Sequence, residues 1–222
     1  MKKVIAVGII LILLATMLPS VAMGQEPSKH AIIIADNSHG QCKIWATTCG
    51  RLMKDVLREY DWSNKEITLL FNSKATKENI IEAVNKVKDV DEVVVAFFGH
   101  GSWNYVALHG PGIWHYEIRD LLLELNSEKQ LVIIDTCKSW GAITPGRDGV
   151  TLSATNRIVL TSTVSENESS IYSWHLTVWC RSVLKWGLLE GKADFNGDGA
   201  VSIEEAGSLK GISDGYEGEF FL

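Results

Sequence analysis

The sequence predicts an α/β fold, a three-layer αβα sandwich built around a mainly parallel sheet. Five stretches are apolar throughout, which is typical of strands buried on both faces of a parallel sheet. Amphipathic stretches with helical periodicity separate them, as the crossovers between parallel strands require. The chain has 222 residues, 46% hydrophobic and 22% charged, which suits one globular domain with a well-formed core.

The predicted strands are apolar runs that end in polar or glycine-containing segments. In order they are HAIIIAD (30–36), EITLLF (66–71), DEVVVAFFGHG (91–101), QLVIIDTC (130–137) and NRIVLTST (156–163). Short runs rich in Val, Ile and Leu are typical of fully buried strands. The closing GEFFL (218–222) is a candidate edge strand.

Four amphipathic stretches predict helices that cover the sheet. In order they are about 45–58, ATKENIIEAVNKVKD (75–89), HYEIRDLLLELN (115–126) and about 173–190. Thr76 is a suitable residue to open the second helix, with Asn79 three positions later. The third helix carries Leu121, Leu122 and Leu125 on one face, which predicts that this face is buried.

Residues 1–24 have the layout of a signal peptide. Lys2 and Lys3 precede the apolar run 4–18, and the small residues Ala22 and Gly24 stand at plausible cleavage positions. The alternative is an uncleaved N-terminal anchor, although the run is short for a spanning helix. We therefore expect residues 25–222 to form an exported domain, secreted or cell-surface associated, that meets the membrane only if the first segment is retained.

A histidine and a cysteine stand where two of the predicted strands end. His100 lies between Gly99 and Gly101 after the third strand, and Cys137 ends the fourth. Because ligands of such folds bind at the carboxyl ends of the strands, we expect these side chains at one edge, where a thiolate and an imidazole support nucleophilic catalysis. The Gly101 amide can point at a developing oxyanion. The alternative is a histidine held in a turn and a cysteine that is only a small core residue.

The stretches VVVAFFGHGS (93–102) and LVIIDTCKS (131–139) resemble the signature of the caspase-like cysteine peptidases, which include legumains, caspases, metacaspases, clostripain and gingipains. The Glu-Ser-Ser run in ENESSIYSWH (166–175) is similar to that of the legumain branch. The resemblance covers residues 30–222. It implies that Cys137 attacks the scissile carbonyl and that His100 protonates the leaving amine, without a cofactor for catalysis.

The resemblance also implies further site residues. Backbone amides of Gly101 and Cys137 would form the oxyanion hole, and Asn37 or Gln41 would assist after the first strand. In legumains an Arg, an acid, a Ser and an Asp shape the pocket for an Asn side chain. The substrate-binding residues at or near these positions are Lys43, Asp135 and Ser170, while Ser173 replaces the Asp. Cleavage after Asn or Asp is the resulting expectation, with a basic residue opposite Asp135 as the alternative.

A second motif, DFNGDGAVSIEE (194–205), fits the calcium loop of an EF-hand. Oxygen ligands at the first, third, fifth, seventh, ninth and twelfth positions, with Gly at the sixth, satisfy the preference of Ca²⁺. The predicted metal ligands are Asp194, Asn196, Asp198, Ala200, Ser202 and Glu205. We expect a structural Ca²⁺ here; the alternative is a metal-free turn rich in Asp, Asn and Gly.

The remaining expectations concern the other cysteines and the function class. Cys42 and Cys49 could pair in an exported protein or remain free, and Cys180 is most simply a core residue. A peptide or protein is the expected substrate, and the net charge of −6 argues against nucleic-acid binding. The alternative function is a catalytically silent, calcium-dependent binding module at the cell surface.

Overall fold

The computed structural model describes residues 27–38, 44–144, 150–163, 172–173 and 176–207. Its main sheet has five strands: β1 (Lys29–Ala35), β2 (Ile67–Phe71), β3 (Glu92–Phe98), β7 (Lys129–Asp135) and β8 (Arg157–Thr161). Their order in the sheet is β2-β1-β3-β7-β8, and every neighbouring pair is parallel. All five correspond to the predicted strands, and the α/β sandwich is confirmed.

Helices cover both faces of this sheet. They are α1 (Trp45–Glu59), α2 (Lys77–Lys86), α3 (His115–Leu123), the π-helix π1 (Cys180–Leu189) and the short α4 (Ile203–Gly207). The N-cap expected at Thr76 is present, since the Asn79 amide donates to the Thr76 hydroxyl at 3.3 Å. No helix in these described ranges is long and apolar enough to cross a membrane.

Strand β1 shows why the strands are apolar throughout. Its alternate residues Ala31, Ile33 and Ala35 pack with α1 and π1, whereas Ile32 and Ile34 pack with α2 and α3. Successive side chains of a strand point to opposite faces, so a sheet covered on both sides needs apolar residues at every position. The same alternation determines which face the residues after β3 and β7 approach.

The structure differs from the expectation at the last long helix. The pairs Tyr172–Ser173 and Leu176–Thr177 form the antiparallel strands β9 and β10, and π1 begins only at Cys180. The Cys180 amide donates to the Thr177 hydroxyl at 2.9 Å, so Thr177 caps the helical segment and fixes its start. A helix beginning near residue 173 is therefore wrong.

A small sheet that the sequence pattern does not predict follows β3. It consists of β4 (Gly101–Ser102), β5 (Tyr105–Val106) and β6 (Ile113–Trp114), paired antiparallel. Two-residue strands carry no detectable periodicity, which explains why they were not foreseen. Residues 1–24 and the candidate edge strand 218–222 lie outside the described residues.

Candidate active site

The ends of β3 and β7 bring the histidine and cysteine segments side by side. Phe98 and Asp135 are partners in the β3–β7 register, and the Gly99 amide donates to the Asp135 carbonyl oxygen at 3.2 Å. His100 and Cys137 each follow two positions after a member of this pair. Strands β1 and β3, between which the strand order reverses, end at the same edge, where ligands of open α/β sheets bind.

The side-chain alternation of both strands points to the same face. Phe98 packs in the core on the α1 side, and Asp135 contacts residues of β10 and π1 on that side. His100 continues the direction of Phe98, and its ring lies 6.1 Å from the ring of Trp45 at the start of α1 in an edge-to-face arrangement. The Cys137 side chain is half-buried and its thiol is free.

The His100 ring is anchored by packing on one side. Its Nε2 is buried, and no described residue gives that atom a hydrogen-bond partner. The His100 carbonyl accepts the Ala107 amide at 2.9 Å, directly before β4 begins at Gly101. The imidazole is therefore held by the Trp45 ring and by the hydrogen-bonded backbone.

Gly101 has a packing role. A Cβ at this position would lie 2.5 Å from Thr136 Oγ1 and 2.9 Å from the Tyr105 carbonyl oxygen. Its φ is outside the left-handed region, so the requirement for glycine is one of space. The close approach of two backbones therefore requires a glycine here.

The turn after Cys137 is sharp. Lys138 adopts left-handed backbone angles, φ 57° and ψ 27°, and a 3₁₀ turn follows at Ser139–Ala142. A non-glycine residue in this region is strained by roughly 1–2 kcal/mol. The surrounding hydrogen bonds hold the turn in place.

Ser139 ties this turn to the end of β8. Its buried hydroxyl accepts the amides of Ser162 at 3.1 Å and Thr163 at 3.2 Å. The Trp140 amide donates in return to the Thr163 hydroxyl at 3.1 Å. These bonds join the turn after the candidate nucleophile to the end of β8; the Glu-Ser-Ser run at 168–170 lies outside the described residues.

Two tryptophans border the edge on the side of the small sheet. The rings of Trp103 and Trp140 meet edge to face with centroids 5.0 Å apart. Gly141 lies against the Trp103 backbone so closely that a Cβ there would fall 1.6 Å from the Trp103 carbonyl oxygen. The loop after His100 and the turn after Cys137 are thus packed as one unit.

Asp135, one of the predicted pocket residues, is fully buried. Its Oδ2 accepts the Thr177 hydroxyl at 2.5 Å and the Cys180 thiol at 3.2 Å. Burial raises the pKa of the Cys180 thiol, and the neighbouring Cys49 and the Asp135 carboxylate raise it further, so this thiol stays protonated as a donor. In the described contacts the carboxylate faces the interior on the π1 side.

Asn37, a candidate for assisting the histidine, is engaged elsewhere. Its side-chain Nδ2 donates to the Thr47 hydroxyl at 2.8 Å, and its side-chain Oδ1 accepts the backbone amide of Ala46 at 3.0 Å. These bonds hold the first turn of α1, whose opening amides need acceptors. The other candidate, Gln41, lies outside the described residues, as do Lys43 and Ser170.

The loop 194–205 has a compact hydrogen-bond pattern of its own. Asp194 accepts the amides of Gly197 at 2.8 Å and Gly199 at 3.1 Å, and both glycines have positive φ.

Ser202 and Glu205 cap α4 reciprocally, because each side chain accepts the other's amide. Hydrogen bonds from Ser202 and from the Asn196 amide lower the pKa of Glu205. Asn196, Asp198 and Ala200 lie on the same loop, where the Ala200 amide donates to Asp198 at 2.9 Å.

Sequence reasoning missed two residues of this region, Ser139 and Thr177. Ser139 stands two positions after the candidate nucleophile. A serine is common in turns, so its residue type did not indicate the hydrogen bonds that it makes. Thr177 precedes Cys180 by three positions, which is an N-cap spacing that could have been recognised.

Comparison with known protein families agrees with this arrangement. A family model described as Caspase domain matches residues 28–192, a span that includes all five strands of the main sheet, His100 and Cys137. No curated protein matches the chain. Because the match covers most of the sequence, and because the parallel sheet and its strand order agree with a caspase-like sandwich, the chain belongs to the caspase-domain family of cysteine peptidases.

Proposed function

We propose that the protein is a cysteine endopeptidase that works through Cys137 and His100. The Cys137 thiol gives its proton to His100 and its sulfur adds to the carbonyl carbon of the scissile peptide bond; His100 then passes that proton to the leaving amine as the C–N bond breaks. Water then attacks the thioester with His100 as base, which releases the acid and restores the thiol. The amides of Gly101 and Cys137 stabilise the oxyanion in both steps.

The β3–β7 register is the observation that carries this proposal. Phe98 pairs with Asp135, and His100 and Cys137 extend the two strands by equal lengths in the same direction. Adjacent strands are about 4.8 Å apart, so side chains that leave them on the same face can share one substrate. Membership of a peptidase family supports the same reading.

Exposure distinguishes Cys137 from the two other described cysteines. Its side chain is half-buried, whereas Cys49 and Cys180 are fully buried. A nucleophile must reach a substrate carbonyl, so only Cys137 of these three is suitably placed.

On the basis of the resemblance to the legumain branch, we extend the proposal to the substrate residue that precedes the cleaved bond. A pocket that includes Lys43, Asp135 and Ser170 would accept Asn or Asp at this position. The carboxylate of Asp135 would instead favour a basic residue if Lys43 points away. Both versions take a peptide or protein as substrate and give no role to nucleic acid.

Calcium binding at 194–205 and export belong to the same proposal. The two amide bonds to Asp194 and the positive φ of Gly199 support a loop ready to wrap an oxygen-liganded cation, with Asn196, Asp198, Ala200, Ser202 and Glu205 as further ligands. The ion would be structural. The layout of residues 1–24 supports a secreted or cell-surface protein.

Cleavage-site profiling tests the proposal. The protein is incubated with a broad peptide library in reductant, with and without Ca²⁺, beside the Cys137→Ser variant. We expect cuts after one or two residue types that disappear in the variant. Absence of turnover, together with alkylation of Cys137 no faster than that of Cys180, would instead support a catalytically silent binding module.

A further inference from the structure

Three ligand-type side chains from separate elements converge below the candidate active site. They are Cys49 of α1, Asp135 at the end of β7 and Cys180 at the start of π1. Their sulfur and carboxylate oxygen atoms all lie within 4.8 Å of one another, and all three residues are fully buried. Across the described ranges, no other set of three His, Cys, Asp or Glu ligand atoms is gathered as closely.

The hydrogen bonds of this cluster converge on one carboxylate oxygen. Asp135 Oδ2 receives the Cys180 thiol at 3.2 Å and the Thr177 hydroxyl at 2.5 Å. The Cys49 sulfur lies 3.9 Å from the same Thr177 hydroxyl. The Cys180 thiol hydrogen therefore lies between a sulfur and a carboxylate oxygen, where a small cation would bind.

We propose that Cys49, Asp135 and Cys180 form a binding site for a thiophilic divalent cation, with Zn²⁺ as the biological ion. Two thiolates and one carboxylate suit Zn²⁺ or Cd²⁺ and are a poor set for Ca²⁺ or Mg²⁺. Bond lengths of about 2.3 Å to sulfur and about 2.0 Å to oxygen separate the ligand atoms of a tetrahedral zinc by roughly 3.5–3.8 Å. The cluster meets this spacing with small side-chain adjustments.

The charge balance favours such an ion in a buried place. Two neutral thiols and one carboxylate carry a single formal negative charge. A divalent cation that displaces both thiol protons leaves the same net charge, so binding adds no buried charge. Thr177 would keep its hydrogen bond to the carboxylate and orient it, as partners of metal ligands do.

This site uses neither Cys137 nor His100, but it shares Asp135 with the proposed substrate pocket. Its two sulfur atoms belong to Cys49 of α1 and Cys180 of π1, which have no part in the proposed peptidase chemistry. The cation would link two helices to the strand that leads into the candidate nucleophile. A metal-binding measurement that reads these two sulfur atoms can therefore fail or succeed independently of peptidase activity.

Cobalt spectroscopy tests the site directly. The reduced full chain carrying Cys137→Ser is titrated with Co²⁺, and Zn²⁺ is then added. We expect one cobalt per chain, thiolate-to-cobalt charge-transfer absorption in the near ultraviolet, tetrahedral bands in the visible and displacement by Zn²⁺. Cys49→Ser and Cys180→Ser should each weaken binding by more than about tenfold, whereas the matched control Cys42→Ser should leave the spectrum unchanged.

A second measurement tests the site without serine substitutions, in case those variants do not fold. With Cd²⁺ bound to the chain carrying all its cysteines, Cys49 and Cys180 should be protected from alkylation in mild denaturant, while Cys42 should react. The proposal is overturned by an absence of charge-transfer absorption, by a spectrum that depends on Cys42, or by equal alkylation with and without Cd²⁺. The proposal would also be overturned if the native protein contains a Cys49–Cys180 disulfide and the chain binds no cobalt after that disulfide is reduced.

Discussion

Gly101 packs directly against Thr136, so the segment that carries His100 touches the segment that carries Cys137. A Cβ on Gly101 would lie 2.5 Å from Thr136 Oγ1 and 2.7 Å from Thr136 Cβ. Thr136 is fully buried and has no space to move aside. This contact sets the relative position of the two backbones at the candidate active site.

Gly101→Ala is expected to separate these segments. Overpacking of this kind typically costs about 1–3 kcal/mol, so the free energy of unfolding should fall by that amount in urea titrations. Peptide cleavage should decrease as well, because the oxyanion amide moves with the backbone. Adding Thr136→Gly removes the two closest clashing atoms and leaves the Tyr105 carbonyl oxygen at 2.9 Å, so it should restore only part of both losses. Wild-type stability and activity in Gly101→Ala would show that the contact is unimportant.

Lys138→Gly is expected to maintain or increase stability. The left-handed conformation costs Lys138 roughly 1–2 kcal/mol, which glycine avoids, while glycine's larger unfolded-state entropy offsets part of the gain. The control is Lys54→Gly in the interior of α1, which should lose about 1 kcal/mol. Urea midpoints of both variants measure the difference. Equal losses in the two variants would contradict the strained turn.

His30 should make stability depend on pH below about 6.5. Burial lowers its pKa below 6.5, although Glu66 opposes this, and Nε2 lies 2.9 Å from the Thr68 hydroxyl. The folded protein therefore binds fewer protons at this site than the unfolded chain does, so the contribution is complete above pH 6.5 and is lost as the pH falls through the lowered value. The free energy of unfolding should decrease on acidification, and His30→Gln should reduce that slope. Identical slopes for both proteins would contradict the assignment.

Calcium should stabilise the folded chain through the loop 194–205. Binding to the folded state alone raises stability by about 2.7 kcal/mol at 100 times the dissociation constant. We expect the melting temperature to rise with Ca²⁺ and much less with Mg²⁺. Asp194→Asn and Glu205→Gln should abolish the rise, because each removes a charged ligand. The same calcium response in both variants would rule out this loop as the site.

The main sheet and its helices could be predicted because a sheet buried on both faces requires strands that are apolar at nearly every position. Ile32, Ile33 and Ile34 are all buried, although they face alternate sides, and similar buried runs occur in β3, β7 and β8. The cap at Thr76 is likewise a local feature. The order of His100 and Cys137 along the strands was enough to place both at one edge.

Other features depend on tertiary contacts that no local pattern contains. Cys49 is free, which is one of its two expected states, but its neighbours Cys180 and Thr177, which π1 and β10 bring to α1, were not foreseen. Gly101 was expected to supply an oxyanion amide, and its close packing against Thr136 was not foreseen. Such relationships follow from how elements pack and cannot be read from spacing.

Covalent labelling tests the Cys137–His100 pair most directly. A peptide with an electrophilic ketone at the cleavage position is added to the wild type, Cys137→Ser, Cys180→Ser and His100→Ala, and the adduct is located by peptide mass mapping. We expect one adduct, on Cys137, in the wild type and in Cys180→Ser. Turnover of the matching substrate should fall by about 10²- to 10⁴-fold in His100→Ala. An adduct on another cysteine, or unchanged turnover without the imidazole, would contradict the assigned chemistry.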